Sequence, residues 1–322
     1  MVRLYSFILL LLCLGLLFPF YGADQVLGAD YPKKTIRIIV PFPPGAGIDM
    51  EARGIAPMLQ KHLGVQVSVE NVPGADGRIG FTKFWKAEPN GYTLSIHTVV
   101  STLAKERILN TEFRVSEFSH ICSWSRTNCV LVVNSEKWKT FDEFKKAGQK
   151  DMLNGGISGR GTASHLNGLI LVDGLDIKVN WVPFQGGAQA LTALAGNHID
   201  FSIVATTSGQ PLVKAGKLRA LLVLADGKDM VFPDVPVPKD LGLKFPIISV
   251  IRGAEGPPKM SPEIVKILEG AFAKAVKEPE YQSWSKSRMI ETVFLGSQEY
   301  RKTVEIQQKE IDRYKELLKD TN

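Results

Sequence analysis

One stretch near the N-terminus constrains the fold more than any other: Thr35-Ile-Arg-Ile-Ile-Val-Pro-Phe-Pro-Pro-Gly-Ala-Gly-Ile-Asp49-Met-Glu-Ala-Arg53. Its β-branched run from Thr35 to Val40 predicts a buried strand. Phe42, Pro44 and their neighbours lead into Gly45-Ala46-Gly47, and apolar residues then recur at Ile48, Ala52, Ile55, Leu59 and Leu63. Spacings of three and four place those side chains on one face of a helix. A strand that feeds a glycine turn and then a helix leaves several backbone N–H groups unpaired at the helix start. They point at one spot, where the helix dipole adds partial positive charge. The physical product is an anion seat, for a carboxylate or a phosphate.

The same grammar recurs along the chain. Gly64 suits the C′ position of the first helix, and Gly54 and Pro57 inside it predict a kink or an irregular turn. Val65–Val69 reads as a second strand, followed by the glycine-rich turn Glu70–Gly80, a helix carrying Phe81, Phe84 and Trp85, and a third strand at Tyr92–His97. Strand, helix, strand, helix, strand is a parallel α/β unit. Further on, Leu131–Asn134 reads as a strand and Thr140–Ala147 as a helix. Strand Leu153–Ile157 enters a second glycine turn, Ser158-Gly159-Arg160-Gly161-Thr162, with His165 one turn into the next helix. Strand Lys178–Pro183 precedes Phe184, Gln185, Gly186 and Gly187, then the helix Ala188–Ala195. Strands follow at Ile199–Val204 and Leu218–Leu224, separated by a helix that ends at Gly216. Pro233–Pro238 reads as an extended surface connection. The apolar run Phe245–Ile251 opens the C-terminal part, and Arg252–Pro258 reads as loop. Ser261-Pro262-Glu263 starts a helix with a cap, a first-turn proline and an acid at the positive dipole end. Ile290–Leu295 is a late strand, and Ser297 caps a long final helix. These elements describe two α/β lobes, residues 30–130 plus 246–322 and residues 131–245. A ligand cleft is expected between them.

The 322 residues suffice for two such cores. The net charge of +6 is spread along the chain without a block of like charges, which disfavours nucleic acid and suits an anionic small ligand. The segment from Leu4 to Phe20 is almost wholly apolar behind Arg3, so residues 1–29 read as a secretory signal peptide cleaved after Ala23 or Ala29. An uncleaved anchor is the alternative. Cys13, preceded by Leu12, does not fit a lipoprotein box. Cys122 and Cys129 are either bridged across a hairpin or two buried thiols. The five histidines have no metal-ligand spacing, and no cofactor is expected.

The pieces Tyr31-Pro-x-Lys-x-Ile-Arg-x-Ile-Val-Pro-Phe-x-Pro-Gly, Asp49-x-x-Ala-Arg53, Val69-Glu-Asn-x-Pro-Gly-Ala75, Pro89-x-Gly-Tyr-Thr-Leu94, Ser158-Gly-x-Gly-Thr-x-x-His-Leu166 and Pro233-Asp-Val-Pro236 occur in one order across nearly all of the mature chain. In that order the chain resembles the substrate-binding proteins of tripartite tricarboxylate transporters, the Bug family. The resemblance implies an α/β type II periplasmic binding protein that closes on its ligand by a hinge. It implies a non-enzymatic, monomeric chain that delivers an organic acid to a membrane permease of one large and one small subunit. In the family two loops act as pincers on a ligand carboxylate, here Phe42–Asp49 and Ser158–Thr162. Where the family loop reads Gly-Gly-small-Thr-Asp, this chain has Gly45-Ala46-Gly47-Ile48-Asp49, and Ile48 would make the pocket more apolar. Arg160 replaces a small polar residue, either to meet a second carboxylate or to extend into solvent. Phe184-Gln185 replaces Tyr-Lys before Gly186, and Val237 replaces a Thr.

Asp49 suits a cap or loop organiser better than a ligand contact, because a carboxylate repels an anion. His165 reads as loop support. Trp181 and Phe184 read equally as ligand wall or core, and Arg252 as cleft lining or lobe surface. Two other functions stay open. One is a secreted Rossmann-type enzyme, in which Gly45-x-Gly47 holds a dinucleotide and Glu70 its ribose, although Met50 stands where the third glycine belongs. The other is a ligand sensor of the same fold that docks a sensor kinase.

Overall fold

The computed structural model describes residues 31–45, 47–109 and 111–319. The expected signal peptide, its cleavage positions, Cys13 and Ala46 lie outside the described residues. The chain begins with β1 (Ile36–Val40), α1 (Gly47–Leu63), β2 (Val67–Asn71), α2 (Arg78–Trp85), β3 (Thr93–Thr98), α3 (Val99–Ile108) and β4 (Ser119–Thr127). It continues through β5 (Cys129–Asn134), α4 (Phe141–Lys150), β6 (Leu153–Ile157), α5 (Ala163–Leu175), β7 (Val179–Pro183), α6 (Gly187–Ala195), β8 (Phe201–Ala205), α7 (Thr206–Lys214) and β9 (Leu218–Leu224). Last come β10 (Val250–Gly256), α8 (Pro262–Ala275), α9 (Pro279–Ser287), β11 (Glu291–Gly296) and α10 (Ser297–Lys319).

The strands form two mixed sheets, ordered β11-β4-β10-β3-β1-β2 and β7-β6-β8-β5-β9. In the first, β1 runs parallel to β2 and β3, so the turns that follow these strands emerge at one sheet edge. In the second, β6 runs parallel to β7 and β8, and their following turns share an edge in the same way. Ligand crevices of α/β sheets form at such carboxyl ends. β1 is almost wholly buried between its helices, as its unbroken β-branched run requires.

Helix α1 continues through Pro57 as one α-helix, without the irregular turn that was one of the two expectations there. Gly54 serves a different end. A side chain there would strike the Trp284 ring of α9, whose nearest atoms lie 2.6 Å from a Cβ at that position. Gly64 ends the helix in the left-handed region, with its N–H on Gln60 O. Cys122 and Cys129 are free and buried. They lie on β4 and β5, which belong to different sheets, so no hairpin joins them. Burial pushes both thiols up, Cys129 to about 12, and keeps them un-ionised. The connection at 233–238 is only partly on the surface, because Val237 and Pro238 are buried.

The loop reading of Arg252–Pro258 is overturned. Residues 250–256 are an interior strand, antiparallel to both β3 and β4. Its composition misleads because its polar and small residues have particular partners. Gly253 lies where any side chain would strike the Tyr300 ring. Glu255 is fully buried, and it accepts hydrogen bonds from Tyr300 Oη (2.7 Å), His120 Nδ1 (2.8 Å) and His97 Nε2 (3.3 Å). Burial alone would raise its pKa. The charge and hydrogen bonds of His120 and His97 outweigh that and lower it from 4.5 to about 2.

A carboxyl with a lowered folded pKa contributes stability above its unfolded value, and that stability is lost as the pH falls through the folded one. The Glu255 contribution is therefore expected to be complete above pH 4.5 and to fade toward about pH 2. Glu255→Ala, which leaves two buried histidines without their acceptor, is expected to cost roughly 3–5 kcal/mol at neutral pH in urea denaturation.

Candidate functional site

The first glycine turn is built around a buried carboxylate. Asp49, 3% exposed, accepts from the Gly45 N–H (2.8 Å), from Asn71 Nδ2 (2.8 Å) and from Arg53 Nε (3.0 Å). Asn71 also donates to Phe42 O (3.0 Å), and its own oxygen accepts from Arg53 Nη2 (2.8 Å). Burial would raise the Asp49 pKa, but the Gly45 N–H, Asn71 and Arg53 together hold it below its usual value. Gly45 has φ +83°, a left-handed conformation that favours glycine. Asp49 is thus the loop organiser, and the Gly45 amide is taken by the protein's own carboxylate. Ile48 is 6% exposed and belongs to the core, so its apolar character acts there. Gly47, Pro44 and Gly45 are exposed at the turn, and Phe42 is half-buried with its edge against Phe81.

The second turn joins β6 to α5 and is held without charge. The Ser158 N–H donates to Ser164 Oγ (3.1 Å), and Thr162 Oγ1 donates to Gly159 O (2.8 Å). Thr162 caps α5 by accepting the His165 N–H. The Gly161 N–H donates to Nδ1 of the fully buried His165 (3.3 Å), which fixes that ring as the neutral tautomer with its proton on Nε2. Burial, with the Arg160 charge in support, lowers the His165 pKa from 6.5 to about 4. Among the described residues no acceptor meets the N–H groups of Gly159, Arg160 or Thr162. A side chain at Gly159 (φ +128°) would meet Thr162 at 3.4 Å and the Phe184 carbonyl at 3.7 Å, so this turn lies beside the Phe184–Gly186 turn after β7. Arg160 is exposed. Trp181 lies edge-on to His165 and Phe201, as part of the core.

Helix α3 touches both turns. Lys105 Nζ lies 4.9 Å from the centre of the Phe42 ring. A side chain at Gly161 would meet Ala104 and Ile108 at 3.2 Å. These residues lie within about 6 Å along the helix axis. A hollow of about 1240 Å³ lies elsewhere, lined by Ser119, Met260 and Gly296 among others. Its rim alternates Lys266, Arg301 and Lys302 with Glu269, Glu299 and Glu305, so no single sign of charge converges on it. Neither glycine turn lines it.

Sequence reasoning missed Asn71, Arg53 and Lys105 as supports of the first turn. It read Arg252 as cleft lining or lobe surface. Arg252 pairs through Nη1 with Glu51 Oε1 (2.5 Å), and Glu51 also accepts from Ser125 Oγ (2.6 Å).

The profile of the tripartite tricarboxylate transporter family receptor, TctC, matches residues 51–322. A UPF0065 protein from the TAR-I ttuE–ttuC' intergenic region of Agrobacterium vitis is 32% identical over 255 residues, 78% of this chain and 73% of that protein. A solved TctC solute-binding protein from Polaromonas is similar at TM-score 0.77 and 27% identity, over 88% of this chain and 99% of that one. MatC from Rhodopseudomonas palustris, solved with bound malate, is similar at TM-score 0.70 and 25% identity, over 89% of this chain and 100% of that one. The chain belongs to the TctC receptor family. Its fold is the two-lobed α/β architecture of these periplasmic solute-binding proteins, which are not enzymes. The dinucleotide alternative fails on the residues as well. Glu70, its ribose-binding acid, is paired with Lys83 (2.6 Å) and Arg37 (3.4 Å). Among the described residues of this TctC chain no helix is long and apolar enough to cross a membrane.

A base held neutral by the fold binds fewer protons than it does unfolded, so stability falls as the pH drops through the unfolded value. For His165 the loss is expected to begin near pH 6.5 and to level off near pH 4, on the order of 3 kcal/mol in all. Denaturation midpoints of the wild type and of His165→Gln across that range check it, and the variant should lack the slope.

Proposed function

We propose that this TctC-family chain captures a small organic carboxylate in the periplasm and presents it to the membrane subunits of a tripartite tricarboxylate-type transporter. The observation that carries this reading is the second turn, where the amides of Gly159, Arg160 and Thr162 meet no acceptor among the described residues while their neighbours are firmly tied. Backbone amides fixed in this way suit a carboxylate, because they need no reorganisation to receive it. Phe42 of the first turn approaches the same helix as Gly161, which supports a ligand held by both turns. The malate bound to MatC, a relative at 25% identity, supports a carboxylic acid as the ligand class. On this reading the ligand-binding residues are Phe42, Pro44–Gly47, Ser158–Thr162, Phe184 and Gly186, with Asp49 and Ile48 acting from behind the turn. The lobes of 30–130 plus 246–322 and 131–245 close on the ligand, which supplies the differential affinity that drives closure.

A panel of di- and tricarboxylates and aromatic acids tests this by thermal shift. Stabilisation should follow RT ln(1 + [L]/Kd), about 2.7 kcal/mol at one hundred times Kd. Gly159→Val is expected to abolish the shift while the chain still folds, because valine resists the backbone conformation at φ +128° that presents these amides. A wild-type chain that responds to no acid on the panel contradicts the reading.

A further inference from the structure

The chain passes between the two sheets at two places. The first crossing is a single residue, Asn128, because Thr127 pairs with Val250 in one sheet and Cys129 with Ala205 and Leu224 in the other. The second runs from the end of β9 to the start of β10, and its last two residues are Ile248 and Ser249. The crossings meet where Ser249 Oγ donates to Asn128 Oδ1 (3.4 Å). Asn128 is also tied to the side of the second sheet. Its carbonyl accepts from the Thr206 N–H (3.0 Å), and its Nδ2 donates to the buried Asp229 carboxylate (2.9 Å). Ile248 and Ser249 are gripped by different supports. Asn167, buried on α5 between two strands of the second sheet, donates through Nδ2 to Ile248 O (2.7 Å) and accepts the Ile248 N–H on Oδ1 (3.1 Å). Gln307, buried on α10 after the last strand of the first sheet, donates through Nε2 to Ser249 O (3.0 Å). Its Oε1 is buried and meets no donor among the described residues, so the bond to Ser249 is what ties its side chain.

Two neighbouring residues are thus held from opposite sides, and the freedom left between them is the ψ of Ile248 and the φ of Ser249. Helix α5 also links this point to the second glycine turn. Thr162 caps its N-terminus, and near its C-terminus Asp173 accepts from Tyr314 Oη of α10 (3.2 Å). Turn, grip and α10 contact lie along about 16 Å of one helix, so they move as a unit. We propose that closure pivots at Asn128 and between Ile248 and Ser249, and that Asn167 and Gln307 are positioning residues that confine it there. This rests on the carboxylate-binding reading above and names the residues of its hinge. Neither side chain touches the ligand in this scheme, and both set its affinity from outside the site. A hinge gripped on both sides leaves few lobe arrangements to be lost on capture. A released hinge leaves more, so the ordering cost of binding rises, by the same amount for every acid.

Nitroxide labels at Lys146→Cys on α4 and Lys274→Cys on α8, both exposed positions, report the spacing of the two halves by pulsed electron–electron double resonance. The buried, un-ionised thiols of Cys122 and Cys129 do not take the label. Without ligand, the otherwise wild-type chain is expected to give a narrow distance distribution. Gln307→Met and Asn167→Leu nearly keep side-chain volume and remove one grip each, and each should broaden the distribution. Calorimetric titration with malate, citrate and adipate should show every acid that binds weakened by one common factor, about three- to tenfold, in either variant. Gln307→Met strips a single backbone carbonyl of its partner, so it decides the matter should Asn167→Leu fold poorly. A folded Gln307→Met chain with distances as narrow as the wild type, or one in which the acids lose affinity by unequal factors, overturns the inference and leaves acid binding intact. A wild type that binds no acid of the thermal-shift panel contradicts the carboxylate reading instead, while the ligand-free distances still decide the hinge.

Discussion

The Asp49 carboxylate is the interaction on which the first turn depends. It lies inside the protein, and it draws together an amide from its own turn, an arginine one helical turn ahead and an asparagine from the next strand. Asn71 can reach it only because β1 and β2 pair with Val40 beside Asn71. The strand register, the turn and the helix start thus hold one another in a single geometry. The arrangement also removes an apparent contradiction. A negative charge beside the site would repel an anionic ligand, but here it is buried and balanced by Arg53, and its effect is to hold the backbone in place. What faces outward at this turn is glycine and the helix start.

The two turns reach similar shapes by different means. The first is held by charge-assisted hydrogen bonds, which are strong and short. The second is held by hydroxyls and one neutral imidazole, which gives the Gly161 amide an acceptor only while Nδ1 is unprotonated. The second turn is therefore the acid-sensitive one, and its Gly159, Arg160 and Thr162 amides meet no acceptor among the described residues. A turn that must receive an anion gains from a neutral support, since a carboxylate beneath it would weaken the attraction. Helix α3 lies against both turns, so small shifts of either are felt by the same few side chains.

Much of this was legible in the sequence, and the failures have physical causes. The strand–turn–helix units at 36–63 and 153–175 were readable because β-branched runs, glycine turns and apolar spacing agree with one another. Ser261 was readable as a cap for the same reason. Strand β10 was not, because Arg252, Gly253, Glu255 and Gly256 look like loop until their distant partners Glu51, Tyr300, His97 and His120 are known. In strand β4 Cys122, Ser123, Trp124 and Ser125 are all buried, so its alternation of apolar and small polar residues does not mark one inward and one outward face. The Asn71 motif was visible, but its task depends on register, which no local pattern states. Ile48 read as pocket lining because it stands where the family loop has a threonine, whereas helical rotation turns it into the core, as its place in the apolar series Ile48, Ala52, Ile55 requires.

A crystal structure of the mature chain with a bound dicarboxylate tests the central claim most directly. The account predicts one carboxylate within hydrogen-bonding distance of the amides in 158–162 and the ligand in contact with the turn at 42–47. An acid bound in the hollow lined by Ser119, Lys266 and Arg301, with both glycine turns untouched, would contradict it.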